Sequence, residues 1–186
     1  MSILTRRGFT LGVLAGVPLL AACNNGVGSS GAARIDARVD ATLDHMFATY
    51  PGTRALADKS AGMLVMPVMT QAGFVVGGGY GRGALRINNV TVDYYSATKG
   101  SVGLQIGAQQ FAHVLFFMTE EALQSFRRSA GWAAGADIHY VFTDQGGNLR
   151  AETTTSISPV VAVIFGQAGL MAGVSLEGMK YTRIIP

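Results

Sequence analysis

The chain has 186 residues, enough for one domain with a single core. Charged residues make up only 13% of it, glycine takes 25 positions and the net charge is +3. That charge excludes a strongly basic nucleic-acid binder, and a lone cysteine excludes an internal disulfide and a cysteine-built metal site.

The first 22 residues read as an export signal. Arg6 and Arg7 precede an uncharged, mostly apolar run, Phe9–Leu20, and the small residues Ala21 and Ala22 lead into Cys23. Twelve helical residues rise roughly 18 Å, too short for a hydrocarbon core of about 30 Å. Leu20-Ala21-Ala22-Cys23 resembles the bacterial lipobox. The resemblance implies that Cys23 carries a diacylglycerol, with a fatty acyl group such as palmitate, as the first residue of the processed protein. Thr5-Arg6-Arg7-Gly8-Phe9-Thr10-Leu11 also resembles a twin-arginine export signal, with the general secretory route as the alternative. Removing Arg6 and Arg7 lowers the net charge by two. Residues 23–33 are rich in Gly, Ser, Asn and Ala and read as a flexible tether, with a single domain expected over 34–186.

Ile35, Val39, Leu43, Met46 and Phe47 recur at spacings of three and four, which predicts a helix from about Ala33 to Thr49. Tyr50-Pro51-Gly52 ends it. Its apolar stripe is expected to pack on its own domain. The alternative, a helix lying on lipid, is less suited to a polar side with three aspartates. Thr53 is the expected cap of a second, short helix.

From Ala61 onward, short apolar runs alternate with Gly and Asn, the pattern of β-strands. Candidates are Met63–Met69, a strand beginning at Gln71, Ala84–Ile87, Val90–Tyr95, Val102–Ile106, Phe111–Met118, Ile138–Phe142, Leu149–Ile157, Val160–Phe165, Leu170–Leu176 and Lys180–Ile185. Asn88-Asn89 between two runs predicts a tight hairpin, because asparagine tolerates positive φ. Phe111–Met118, apolar on both faces except at His113, predicts a central strand. Thr119 with Glu120 and Glu121 predicts a helix start, and Arg127, Arg128 and Gly131 its end. Gln71-Ala72-Gly73 recurs as Gln167-Ala168-Gly169. The fold class is α+β: an N-terminal helix, then a mostly antiparallel sheet or partly closed barrel, with one helix near 120–129.

Chemistry is sparse. Gly77–Gly83 does not fit a phosphate-loop spacing and reads as a glycine-rich strand and turn. His45, His113 and His139 lack the spacing of a helical metal pair. His113 reads as a core histidine, and Glu177 as exposed or paired with Lys180 or Arg183. No catalytic residue, metal site or cofactor is expected.

Four ordered blocks resemble the SYLF domain. They are Pro67 with Gln71–Gly83, then Ser101–Gly107, Phe116–Leu123 and Gly169–Gly178. The resemblance covers about Ala57 to Pro186 and implies a lipid-binding domain rather than a catalyst. Where many relatives carry a cation at the positions of Gln71 and Ala168, this chain has none. The basic residues left for phospholipid headgroups are Lys59, Arg82, Arg86, Lys99, Arg127, Arg128, Lys180 and Arg183. The expected partner is a phospholipid membrane, reached through acylated Cys23, with anionic phospholipids or phosphoinositides as candidate ligands. The expected location is the bacterial cell envelope, at the outer membrane. The alternative is a structural envelope lipoprotein working through protein partners.

Overall fold

A computed structural model describes residues 29–74, 76–102, 107–135, 138–142, 158–169 and 175–186. The export signal, Cys23, most of the tether, the 144–148 turn, the Leu149–Ile157 strand, and most of Val102–Ile106 and Leu170–Leu176 lie outside them. The elements are α1 (Gly31–Thr49), α2 (Gly52–Lys59), β1 (Gly62–Phe74), β2 (Val76–Ile87), β3 (Val90–Val102), β4 (Gly107–Phe117), α3 (Glu120–Arg128), β5 (Trp132–Ala133), β6 (Ile138–Phe142), β7 (Val160–Gly169) and β8 (Lys180–Ile184).

The strands form one sheet in the order β5-β8-β3-β2-β1-β4-β7-β6. All pairings are antiparallel except the parallel edge pair β6–β7. The sheet is curled into a half-barrel. Its connectivity demands this. Laid flat, seven strand spacings would hold the two edges roughly 34 Å apart, yet the chain passes from Ala133 on one edge to Ile138 on the other in five steps, at most roughly 18 Å.

Alternating side chains divide into two cores. Leu64, Met66, Met69, Phe111, Leu115, Phe117 and Ile164 point to the inner face, where Leu123 and Phe126 of α3 plug one end. Met63, Val65, Val114, Phe116, Val163 and Phe165 point to the outer face, against Ile35, Val39, Leu43 and Met46 of α1. Burying each such side chain contributes about 1.5–3 kcal/mol, so the stripe packs on the domain as expected.

Several local expectations hold. Asn88 and Asn89 take φ of 51° and 63° in the β2–β3 hairpin. The Thr119 side chain accepts a bond from the Ala122 amide at 3.2 Å, capping α3. Others differ. Thr53 does not cap α2. It sits inside the helix, buried, and its hydroxyl donates to the Tyr50 carbonyl at 2.7 Å. Gln71 does not begin a strand but continues β1, because Met66-Pro67 forms a bulge that absorbs the break in pattern. α3 ends at Ser129 rather than at Gly131.

The glycine-rich stretch is strand β2. Gly79, Gly81 and Gly83 face inward beside β1, and no side chain fits there. A Cβ on Gly79 would stand 2.8 Å from Gln71 Cγ, and one on Gly81 would stand 2.3 Å from Met69 Sδ. A Cβ on Gly83 would stand 1.9 Å from the Val65 carbonyl oxygen. The bare strand lets the inward side chains of β1 fold across β2. The Gln71 and Gln167 repeats lie on the two strands flanking β4: Gln71 pairs with Gln109, and Ala168 with Gln110.

His113 is fully buried in β4, and its Nε2 lies 2.8 Å from the Tyr181 hydroxyl. Burial pushes its pKa down to about 3 from an ordinary 6.5, so the folded ring stays neutral. Burial also pushes the Tyr181 hydroxyl well up.

Gly83→Ala is expected to lose about 3 kcal/mol or more in urea unfolding, since a backbone oxygen occupies the new methyl's place. Gly100→Ala, with nothing within 4 Å of the new Cβ, is expected to change stability by no more than about 0.5 kcal/mol. As pH falls below 6.5, the unfolded chain takes up a proton at this histidine that the folded one refuses until about 3. Stability is therefore lost on acidification through that window, by up to about 1.4 kcal/mol per pH unit, and is unaffected above it. In urea midpoints measured from roughly pH 6 to 5, where carboxylates stay charged, His113→Gln is expected to flatten the slope. An unchanged slope contradicts a neutral buried ring.

Candidate functional site

The first group of cations converges where β2 turns into β3. Arg86 projects from the outer face of β2 beneath α1. It meets Asp40 at 2.6 Å and Asp36 at 3.8 Å, and it donates to the Asn89 carbonyl at 2.9 Å. Asp36 also accepts from the Thr91 and Tyr94 hydroxyls, each at 2.7 Å. Burial and the bond to Asp36 push the Tyr94 hydroxyl up to about 12. This network ties α1 to the sheet.

The second group gathers on the inner face around Asp93 of β3. Arg127 of α3 and Arg183 of β8 each stand 3.4 Å from its carboxylate, and Arg183 also donates to the Arg127 carbonyl at 3.1 Å. Tyr95 lies beside them; burial raises its pKa against the pull of Arg183. Arg128 is exposed in the last turn of α3, its Nε donating to the Gln124 carbonyl at 3.2 Å, and Lys59 is exposed at the end of α2.

These five cations share one end of the half-barrel. Gly62, Ile87, Val90, Phe117, Val160 and Ile184 are the strand termini there. The other three lie away from it. Lys99 on β3 is half-buried and donates to the Ser175 carbonyl at 2.5 Å. Burial lowers its pKa, against the charge of Glu177. Arg82 on β2 donates to the Tyr80 hydroxyl at 2.7 Å. Lys180 on β8 lays its stem over Gly131, which is why that position has no side chain: a Cβ would stand 2.3 Å from Lys180 Cε. The eight residues are thus divided between one crowded end and three separate places along the sheet.

Exposed apolar side chains were not among the residues singled out from the sequence. Val90, Val92 and Ile185 are 63%, 39% and 71% exposed at the crowded end. Val68, Val76 and Tyr80 are exposed on the outer face, Val68 at a cleft beside α1 and the other two farther toward the opposite end. Strand alternation assigns such residues to a face, but not what covers that face. An open cleft of about 310 Å³ runs between α1 and the outer face, lined by Thr42, His45, Val68, Gln110, Phe165 and Ala168 among others. It can admit an apolar group.

Among the described residues, no three His, Cys, Asp or Glu side chains gather as a metal ion would require. No described helix is long and apolar enough to cross a membrane. Glu177 sits exposed in a turn and pairs with neither Lys180 nor Arg183 among the described ion pairs.

No curated protein matches the chain. The family model described as Ysc84: Las17-binding protein actin regulator matches residues 98–183. The stretch runs from the second half of β3 into β8 and contains three of the four blocks read from the sequence, all but the one at Pro67–Gly83. Over residues 98–183 the chain is thus similar to the SYLF (Ysc84) domain family, in line with the resemblance read from the sequence.

Proposed function

We propose that the protein is a bacterial envelope lipoprotein, held at the outer membrane by acyl chains on Cys23, whose SYLF domain contacts phospholipid. The observation that carries this reading is the order of the chain. Its only cysteine directly follows a short apolar run and two small residues, and a domain matched by the SYLF family model stands behind it. Each buried methylene contributes about 0.8 kcal/mol, so two or three chains retain the protein without tight binding by the domain. The domain is then free to sense or organise headgroups at modest affinity. Anionic headgroups, phosphoinositides included, are the ligands suited to the exposed cations, at about 1 kcal/mol each near a charged surface. The reading assigns the protein no reaction, no cofactor and no nucleic acid.

A structural envelope protein working through protein partners is the second reading. Val68, Val76 and Tyr80, each exposed on the outer face, favour it, because uncovered apolar side chains suit protein contacts. Crosslinking from Tyr80 in cells separates the two, protein adducts supporting this reading and lipid adducts the first.

Mass spectrometry of the native protein is expected to find Cys23 as its first residue, bearing fatty chains, and Cys23→Ser to lack them. In vesicle flotation the acylated form is expected to float fully and the Cys23→Ser form in part. A native protein that starts elsewhere, or an unmodified Cys23, overturns the anchor. A Cys23→Ser form that floats with no headgroup removes the domain's own lipid contact.

A further inference from the structure

The anchored reading leaves open which side of the domain meets the bilayer. The tether and the exposed apolar side chains answer it together. From Cys23 to Ser29 is six steps of chain, which can span at most roughly 21 Å. Ser29 is fixed to the domain. Its hydroxyl donates to the Pro186 carbonyl at 2.9 Å and accepts from the Gly31 amide at 3.0 Å. Pro186 follows Ile185 at the end of β8, and that end pairs with β3 next to the β2–β3 hairpin. Asp36, little more than one turn into α1, bonds Thr91, which lies between Val90 and Val92. The chain therefore joins the domain beside Val90, Val92 and Ile185.

The opposite end is far away. The twelve residues of β2 span roughly 36 Å, beyond even the fullest reach of those six steps. We infer that the end of the half-barrel carrying Val90, Val92 and Ile185 is the surface that docks on the phospholipid bilayer. The inference rests on the lipoprotein reading and gives it an orientation. The charges at this end suit such a contact without dominating it. Lys59 and Arg128 are exposed, but so are Asp58, Glu120 and Glu121, and Arg86, Arg127 and Arg183 already face Asp36, Asp40 and Asp93. With exposed carboxylates slightly outnumbering exposed cations, charge does not drive the contact; the apolar side chains carry it, and the exposed Lys and Arg reach to headgroups at its rim. Tyr80, Arg82 and Val76 then project into the aqueous space.

The test uses the acylated full chain in vesicles of mixed phosphatidylethanolamine and phosphatidylglycerol. Because Cys23 is acylated, a thiol-reactive environment-sensitive fluorophore reads only an introduced cysteine. Val90→Cys, Val92→Cys and Ile185→Cys are expected to give blue-shifted emission that brominated lipid quenches. Val76→Cys, Tyr80→Cys and Gly100→Cys are expected to keep their aqueous emission. Protein that attaches while the first three probes stay in water, or while the 76 and 80 probes shift instead, overturns this orientation alone. Protein that does not attach at all overturns the anchor and the orientation with it.

Discussion

The close approach of β1 to β2 governs this molecule. Gly79, Gly81 and Gly83 leave the inner face of β2 bare, and Gln71, Met69, Met66 and the Val65 carbonyl occupy the vacated space. A strand with ordinary side chains there would hold β1's inward groups away. The bulge at Met66-Pro67 works with the glycines. It bends β1 where Gly83 receives it, and it places proline where no ladder amide is needed. From this bend follows the curl of the sheet. The curl sets the inner core around Phe117, Phe126 and Tyr181, and it brings the two edge strands within reach of a short connection.

The same curvature decides what the charged residues can do. Five of the eight cations that stand out in the sequence end up at one end of the half-barrel, where three of them are neutralised internally. Arg86 secures α1 through Asp36 and Asp40. Arg127 and Arg183 join α3 to β8 through Asp93. These pairs are partly exposed, so each adds little stability alone, but they set where α1 and α3 sit on the sheet. A chain with 13% charged residues that spends several of them this way keeps few for a long-range field. Its surface chemistry then rests on where apolar groups break through, at Val90, Val92 and Ile185, and at Val68, Val76 and Tyr80.

Much of the local structure was legible from residues alone. The stripe Ile35–Val39–Leu43–Met46, the Thr119 cap and the Asn88-Asn89 hairpin each rest on interactions within a few residues, and such interactions are written in order along the chain. The doubly apolar run around His113 likewise marks a central strand. Where β1 continues past Met69 was not legible, because a bulge shifts the alternation that strand reading depends on. Thr53 misled for a similar reason: its hydroxyl takes the Tyr50 carbonyl from inside the helix, a geometry that the residue type alone does not distinguish from a cap. The candidate site fared less well. Eight cations could be named, but whether any pair of them met required the sheet order.

The sequence by itself determined most of the described elements, the α+β class, the family resemblance and the expectation of a lipid-modified cysteine. Each depends on residue types at short spacings or in a fixed order. Only the tertiary structure decided which cations face aspartates, which valines are left uncovered, and that the chain joins its domain beside three exposed apolar side chains. Those facts depend on contacts between residues as distant as Ser29 and Pro186. They arise from the curl of an eight-stranded sheet, a property of backbone packing that no local stretch encodes.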